Sequence, residues 1–141
     1  GGFIGVSLDA ERVDLVRAAA EGVAHNLRWL LAPVERFTGQ VTDEVVLTGG
    51  AARSAAWSQV LADVLQRPVR TVAEPDHSGA RAAAGWALDQ LASGTAADWL
   101  RLDGAFEPDA SVADVHAHAQ GQFVAAFEAL RPLGLGTSPP V

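Results

Sequence analysis

Cysteine, methionine and lysine are absent from this 141-residue sequence, and all ten of its basic residues are arginine. Without cysteine the chain cannot form a disulfide, a thiolate nucleophile or a cysteine-ligated zinc site. Without lysine it cannot carry the phosphate-binding motif GxxxxGKS/T or form a Schiff base with a substrate. The absence of cysteine also permits a reducing compartment, and we expect a cytoplasmic protein.

The sequence also lacks an initiator methionine, a secretory signal peptide and a membrane-spanning segment. It opens on Gly1, Gly2 and Phe3 without a charged leader region, and it has no run of roughly 18 apolar residues. We therefore expect an internal piece of a longer protein. The net charge of −7 would repel nucleic acid and anionic membranes, so we expect neither as a partner.

The residues that are present favour one compact α/β domain, because 141 residues at 49% hydrophobic can bury a core. Apolar residues spaced by three or four predict a long helix over 10–37, capped by Asp9 and bent at Pro33. Further helices are predicted over 54–65, 79–92 and 112–130, the last capped by Ser111. Apolar runs at 44–48 and 68–72 predict strands. The stretch 95–109 is expected to be irregular.

The predicted order is α-β-α-β-α-α, which in this class implies parallel strands joined by right-handed crossovers. The run at 44–48 is typical of a strand covered on both faces, and such a strand needs neighbours. Two strands make too small a sheet, so we expect the first strands to precede Gly1 or to come from another chain. An apolar face left open there predicts a homo-oligomer.

The most suggestive local feature is the run from Leu47 to Ser54, LTGGAARS, between the first strand and the second helix. Open α/β sheets bind ligands at the carboxyl ends of their strands, and glycines there let a ligand contact the backbone. Ser54 can cap the helix and offer a hydroxyl group. Taken alone, a Gly-Gly pair is more often a plain turn than a binding site.

Other polar residues give weaker signals. His116 and His118 lie two positions apart on a helix and face different ways, so the histidines are predicted to pack helices or lie at the surface. Arg53 and Arg81 could meet phosphate near helix starts, although solvated arginines or local ion pairs are more common. No metal site is predicted from these residues.

Carboxylates and aromatic residues leave further alternatives open. Glu74 and Asp76 follow a strand, where carboxylates act in catalysis or cap the next helix. The four tryptophans include Trp57 near the glycine pair, but aromatic residues at helical spacing are more often core residues. No GxSxG elbow supports a hydrolase, and no GxGxxG supports a dinucleotide-binding oxidoreductase.

Four segments together resemble the FGGY carbohydrate kinases, in particular their xylulokinase-like branch. In that family's order they are GFIGV at 2–6, EGVAHNLR at 21–28, LTGGAARS at 47–54 with LADVL at 61–65, and GARAA at 79–83. The likeness assigns residues 1–131 to the C-terminal part of the family's second domain and 132–141 to a flexible tail. The sequence departs from the family's pattern at Arg81, where a small residue is usual, and at His25 and His118, where aromatic residues are usual.

The resemblance implies an actin-like ATPase fold, related to ribonuclease H, in which ATP and Mg²⁺ bind in a cleft and a sugar or polyol hydroxyl attacks the γ-phosphate. By that analogy Gly49, Gly50 and Ala51 line the ribose and phosphate side of the nucleotide, and Ser54 lies against adenine. The family's catalytic base and sugar pocket come from sequence before Gly1, so no catalytic residue is predicted in this chain. The alternative is a non-catalytic, self-associating module with a decayed nucleotide site.

Overall fold

The computed structural model describes residues 2–91 and 101–133. Within these ranges, helices and strands alternate in the order α1 (Arg12–Thr38), β1 (Val45–Leu47), α2 (Ala55–Leu65), β2 (Val69–Val72), α3 (Ser78–Leu91), β3 (Leu102–Phe106) and α4 (Ala113–Leu130). Short 3-10 turns occupy Gly50–Arg53, Pro75–His77, Ala110–Val112 and Arg131–Leu133. The predicted α/β class is confirmed.

The three strands form one sheet in the order β1-β2-β3. β1 and β2 are parallel, as predicted, with Val45 opposite Val69 and Leu47 opposite Thr71. β3 runs antiparallel to β2 on its other side. The carboxyl ends of β1 and β2 therefore meet at one edge of the sheet, which brings together the two turns that follow them.

Strand β3 corrects the prediction that residues 95–109 are irregular, and it changes the element order to α-β-α-β-α-β-α over the described residues. Its apolar residues, Leu102, Ala105 and Phe106, do not alternate with polar ones, and the strand is defined by its pairing with β2. A Cβ atom on Gly104 would lie 2.5 Å from Thr71 Oγ1, so glycine allows the two strands to approach closely. Trp99 lies outside the described residues.

The helix predictions are confirmed to within about two residues over the described ranges, but two predicted caps are wrong. The residue that precedes α1 is Glu11 and not Asp9, because Glu11 and Asp14 cap each other reciprocally at the helix start. The N-cap of α4 is Val112 and not Ser111, because a 3-10 turn over Ala110–Val112 leads directly into the helix. The N-cap of a helix depends on the conformation of the turn before it, and the spacing of apolar residues does not predict that conformation.

The core lies between α1, α2 and β2. Leu61 and Val64 of α2, Val69 of β2 and Ala24 of α1 are at most 2% exposed. Partly buried apolar residues surround them: Leu31, Val45, Leu47, Trp57, Val60 and Phe106. Removal of this surface from water is the main favourable contribution to folding, and it fixes β2 and α2 against each other.

The outer parts of the fold are less covered. Val46 of β1 is 40% exposed, so the described residues cover β1 only in part. Helix α1 leaves a series of apolar side chains exposed: Val13, Val16, Val23, Leu27, Leu30, Val34 and Phe37. Of the predicted tail, Pro132 lies in the turn Arg131–Leu133, and residues 134–141 lie outside the described residues.

Candidate functional site

The turn after β1, which we call the glycine turn (residues 49–54), has a backbone conformation that depends on glycine. Gly49 has φ 76° and ψ −170°, a combination that essentially only glycine adopts. The chain then forms one 3-10 turn, in which the N–H of Ala52 donates to the carbonyl of Gly49 at 3.0 Å. The strand therefore reverses direction within a few residues and leads directly into α2.

The space beside the two glycines is open. A Cβ atom built on Gly49 or Gly50 meets no other atom within 4 Å, and both Gly50 and Ala51 are exposed. The glycines are thus not required by close packing against the rest of the chain. The turn presents bare backbone at the edge of the sheet, where a ligand can approach it.

Ser54 performs the capping role predicted for it. Its Oγ accepts a hydrogen bond from the N–H of Trp57 at 3.2 Å, and its carbonyl accepts from the N–H of Ser58 at 2.9 Å. Because the hydroxyl oxygen acts as the acceptor, its proton remains available to a ligand. The four predicted site residues, Gly49, Gly50, Ala51 and Ser54, thus share one short turn.

A second turn (residues 74–78) follows β2 beside the glycine turn. Glu74 has φ 48°, a left-handed conformation that is uncommon for a residue with a side chain. Arg81 of α3 donates to the carbonyls of Ala73 and Glu74, the second at 2.9 Å, and its guanidinium lies 3.5 Å from the Glu74 carboxylate. The Ser78 hydroxyl donates to the carbonyl of Pro75 at 2.7 Å. Several side-chain contacts therefore hold this turn in place.

An ion pair joins the two turns. Arg53 Nη2 lies 2.8 Å from Asp76 Oδ2, and the two side chains are 68% and 43% exposed. Arg81 forms the local ion pair that was one expected alternative, whereas Arg53 pairs with a residue 23 positions away. Sequence reasoning did not pair Arg53 with Asp76, because their contact depends on the parallel pairing of β1 with β2.

The histidines lie away from the glycine turn, except that His77 belongs to the second turn. His25 of α1 and His116 of α4 are both 4% exposed, with ring centroids 5.9 Å apart. His25 Nδ1 lies 2.8 Å from Gln120 Oε1, and burial lowers the pKa of His25 below its ordinary value. These two rings pack helices, as predicted, while His118 is exposed.

Of the three tryptophans in the described residues, two are packing residues. Trp57 is partly buried against the core, and Trp29 meets Phe127 edge to face with ring centroids 4.8 Å apart. Trp86 on α3 is exposed. Neither Trp29 nor Phe127 belongs to the two turns, so their contact serves the attachment of α4 to α1.

A separate surface hollow of about 340 Å³ lies between α1 and the end of α2, lined by Arg28, Leu31, Ala32, Glu35, Leu65, Gln66 and Arg67. Arg67 pairs with Glu35 and donates to the carbonyl of Thr42, and the guanidinium lowers the pKa of Glu35. Arg28 donates to the carbonyl of Val64 at 2.9 Å. These contacts fasten the chain around the end of α2, and no glycine-turn residue lines the hollow.

The comparisons with known proteins agree on one family. A model of the FGGY family of carbohydrate kinases, C-terminal domain, matches residues 1–91. The autoinducer-2 kinase of Enterobacter sp. (strain 638) is 40% identical over 88 residues, 59% of this chain and 17% of that protein. The gluconokinase of Bacillus subtilis (strain 168) is 39% identical over 70 residues, 49% of this chain and 14% of that protein.

Among solved structures, a xylulose kinase from Rhodospirillum rubrum matches with a TM-score of 0.79 and 31% identity, over 94% of this chain and 28% of that one. The chain belongs to the FGGY family of carbohydrate kinases, and its matched part is that family's C-terminal domain. The fold is the actin-like, ribonuclease H-like fold of this xylulose kinase, as the sequence resemblance implied. The chain spans about a sixth of the autoinducer-2 kinase's length.

No helix over residues 2–91 and 101–133 is long and apolar enough to cross a membrane. Over the same residues, no three histidine or carboxylate side chains are grouped so that they could hold a metal ion.

Proposed function

We propose that this chain is the nucleotide-binding C-terminal portion of an ATP-dependent carbohydrate kinase that phosphorylates a sugar or polyol hydroxyl. The observation that carries the proposal is the glycine turn. Its backbone at Gly49 depends on glycine, the space beside Gly49 and Gly50 is open, and it lies at the carboxyl edge of parallel strands. Membership of the FGGY family and the kinase names of the matched relatives add support.

Each residue of the turn has a role in this proposal. Gly49, Gly50 and Ala51 line the ribose and phosphate side of ATP, because residues without bulky side chains let the nucleotide approach the backbone. Ser54 donates its free hydroxyl proton to a ring nitrogen of adenine while its oxygen continues to cap α2. The turn thus recognises the adenosine part of ATP.

Phosphoryl transfer also needs Mg²⁺ and a group that receives the proton of the attacking hydroxyl. The carboxylates beside the turn, Glu74 and Asp76, lie against Arg81 and Arg53. We therefore propose that the base, the Mg²⁺ ligands and the sugar pocket belong to parts of the relatives that this chain does not match. The chain by itself should bind nucleotide without phosphorylating a sugar.

A non-catalytic module that self-associates is the second candidate. It is favoured by the free edge of β1 within the described sheet and by the exposed apolar side chains of α1. Both candidates include a homo-oligomer, because the same surfaces are open in either case. They differ in whether the glycine turn binds a nucleotide.

Titration of ATP in a calorimeter against Gly50→Val and the unchanged chain separates the two candidates. A Cβ atom at Gly50 meets nothing within 4 Å, so the fold should tolerate valine while the side chain blocks the nucleotide. We expect saturable binding that weakens at least tenfold in Gly50→Val. Gly121→Val is the matched control, because Gly121 also has open space but lies on α4.

Three outcomes contradict parts of the proposal. Absence of saturable binding to the unchanged chain favours the self-associating module, and equal binding by Gly50→Val removes the glycine turn from the site. Formation of ADP by the chain that depends on added sugar contradicts the assignment of the catalytic base to unmatched parts of the relatives.

A further inference from the structure

The carboxyl edge of the sheet carries two separate turns, and the structure connects them by side chains. The glycine turn has Arg53 as its last 3-10 residue, and the second turn has Asp76 in the middle of its own 3-10 segment. Their charged groups lie 2.8 Å apart. This ion pair, which we call the turn brace, joins segments more than twenty positions apart in the sequence.

The two turns differ in how firmly they are held. The second turn is fixed to α3 by the contacts of Arg81 with Ala73 and Glu74. The glycine turn has open space beside Gly49 and Gly50, so side-chain packing does not fix its outer surface. The brace therefore connects the open turn to the fixed one.

We propose that Arg53 and Asp76 are positioning residues: their ion pair sets the spacing between the two turns and thereby the affinity of the glycine turn for a nucleotide. This inference rests on the proposed nucleotide-binding function. An exposed ion pair contributes at most about 1 kcal/mol, so its loss should weaken binding by about two- to fivefold. In this proposal the nucleotide contacts the backbone of the turn and the Ser54 hydroxyl, and it does not contact the side chains of Arg53 and Asp76.

A different role for Arg53, direct attraction of the phosphates, makes opposite predictions. A free arginine would bind ATP as tightly or more tightly once Asp76 is neutralised, and its effect would vanish for adenosine, which carries no phosphate. A brace affects ATP and adenosine equally, because it acts through the shape of the turn. The ion pair of a brace also re-forms when the two charged residues are exchanged, whereas a contact between Arg53 and phosphate is lost.

The experiment measures the affinities of ATP and adenosine for the chain and for Arg53→Gln, Asp76→Asn and the charge-exchanged pair Arg53→Asp with Asp76→Arg. We expect both single variants to weaken both ligands by about two- to fivefold, and the exchanged pair to restore at least half of the loss on a logarithmic scale. Arg17→Gln is the matched control, since Arg17 forms a similarly exposed pair with Glu21 on α1.

Hydrogen exchange of the backbone amides of residues 50–54, measured without nucleotide, separates this inference from the proposed function. Faster exchange in both single variants, with recovery in the exchanged pair, supports the positioning of the glycine turn by the brace. If the unchanged chain also binds no nucleotide, the effect on affinity falls together with the proposed function. Unchanged exchange in the single variants overturns it. The inference also falls, while the proposed function stands, if Asp76→Asn binds ATP as tightly as the unchanged chain.

Discussion

The centre of the molecule and the carboxyl edge of its sheet are held together in different ways. Around α2 and β2, apolar side chains are buried almost completely, as Leu61, Val64 and Val69 illustrate. At the sheet edge, the glycine turn and the second turn are largely exposed, and hydrogen bonds and ion pairs of arginines define their contacts. The first region depends on packing and the second on backbone conformation and charge.

This contrast separates the requirements of stability from those of binding. A packed centre tolerates few changes of volume, because each lost methyl group leaves a cavity. An exposed turn with open space tolerates side chains on steric grounds but is sensitive to changes in backbone conformation. Substitutions in the two regions should therefore differ in what they damage.

The largest effect is expected for Leu61→Ala. Leu61 is 2% exposed, so its truncation should lower the free energy of unfolding by about 2–5 kcal/mol. Urea denaturation followed by circular dichroism measures the change. Leu27→Ala, at an apolar residue of α1 that is 41% exposed, is the control and should cost less than half as much. Equal losses at the two positions would show that the centre is not the more tightly packed region.

An intermediate effect is expected for Gly49→Val. The left-handed φ at Gly49 strains any residue with a side chain, so valine should lower the free energy of unfolding by about 1–3 kcal/mol. Gly50, which lacks a left-handed φ and has the same open space, provides the comparison. Gly50→Val should unfold at nearly the urea concentration of the unchanged chain. A cost at Gly50 as large as that at Gly49 would argue against the assigned backbone roles.

The sequence was sufficient for the central region and for the location of the turn. Apolar spacing and cap residues located the four helices of the described residues, and the short apolar runs around Val45 and Val69 located the parallel strands. Strand β3 was missed because it depends on pairing with β2, where Gly104 permits close approach. Such pairing leaves little pattern in the strand's own residues.

The contacts between distant residues were also beyond the sequence. Arg53 and Asp76 each gave a local signal, but only the register of β1 against β2 brings them together. Similarly, His25 and His116 meet because α4 packs on α1, although more than ninety positions separate them. A single sequence gives no information about which distant residues contact each other. It therefore predicts the residue types of a site more readily than the contacts those residues make.

The smallest effect on stability is expected from His25, a titratable side chain that is buried between α1 and α4. Burial lowers the pKa of His25, so the folded chain binds fewer protons than the unfolded one between that lowered pKa and about pH 6.5. Stability therefore falls as the pH decreases through this range. His116 on α4 and Arg28 on α1 also oppose a charge on His25, whereas Glu21 and the hydrogen bond with Gln120 favour it.

Between pH 7.5 and 5.5, His25 should therefore shift the unfolding equilibrium constant by at most about tenfold, the limit for a ring that stays neutral when folded. Urea denaturation at both pH values measures the shift. His25→Phe should lose this part of the pH dependence, whereas His118→Gln, at an exposed position on α4, should keep it. If His25→Phe keeps the pH dependence of the unchanged chain, protonation of other groups destabilises the fold in acid. Burial of His25 between α1 and α4 would then contribute nothing to the pH dependence of stability.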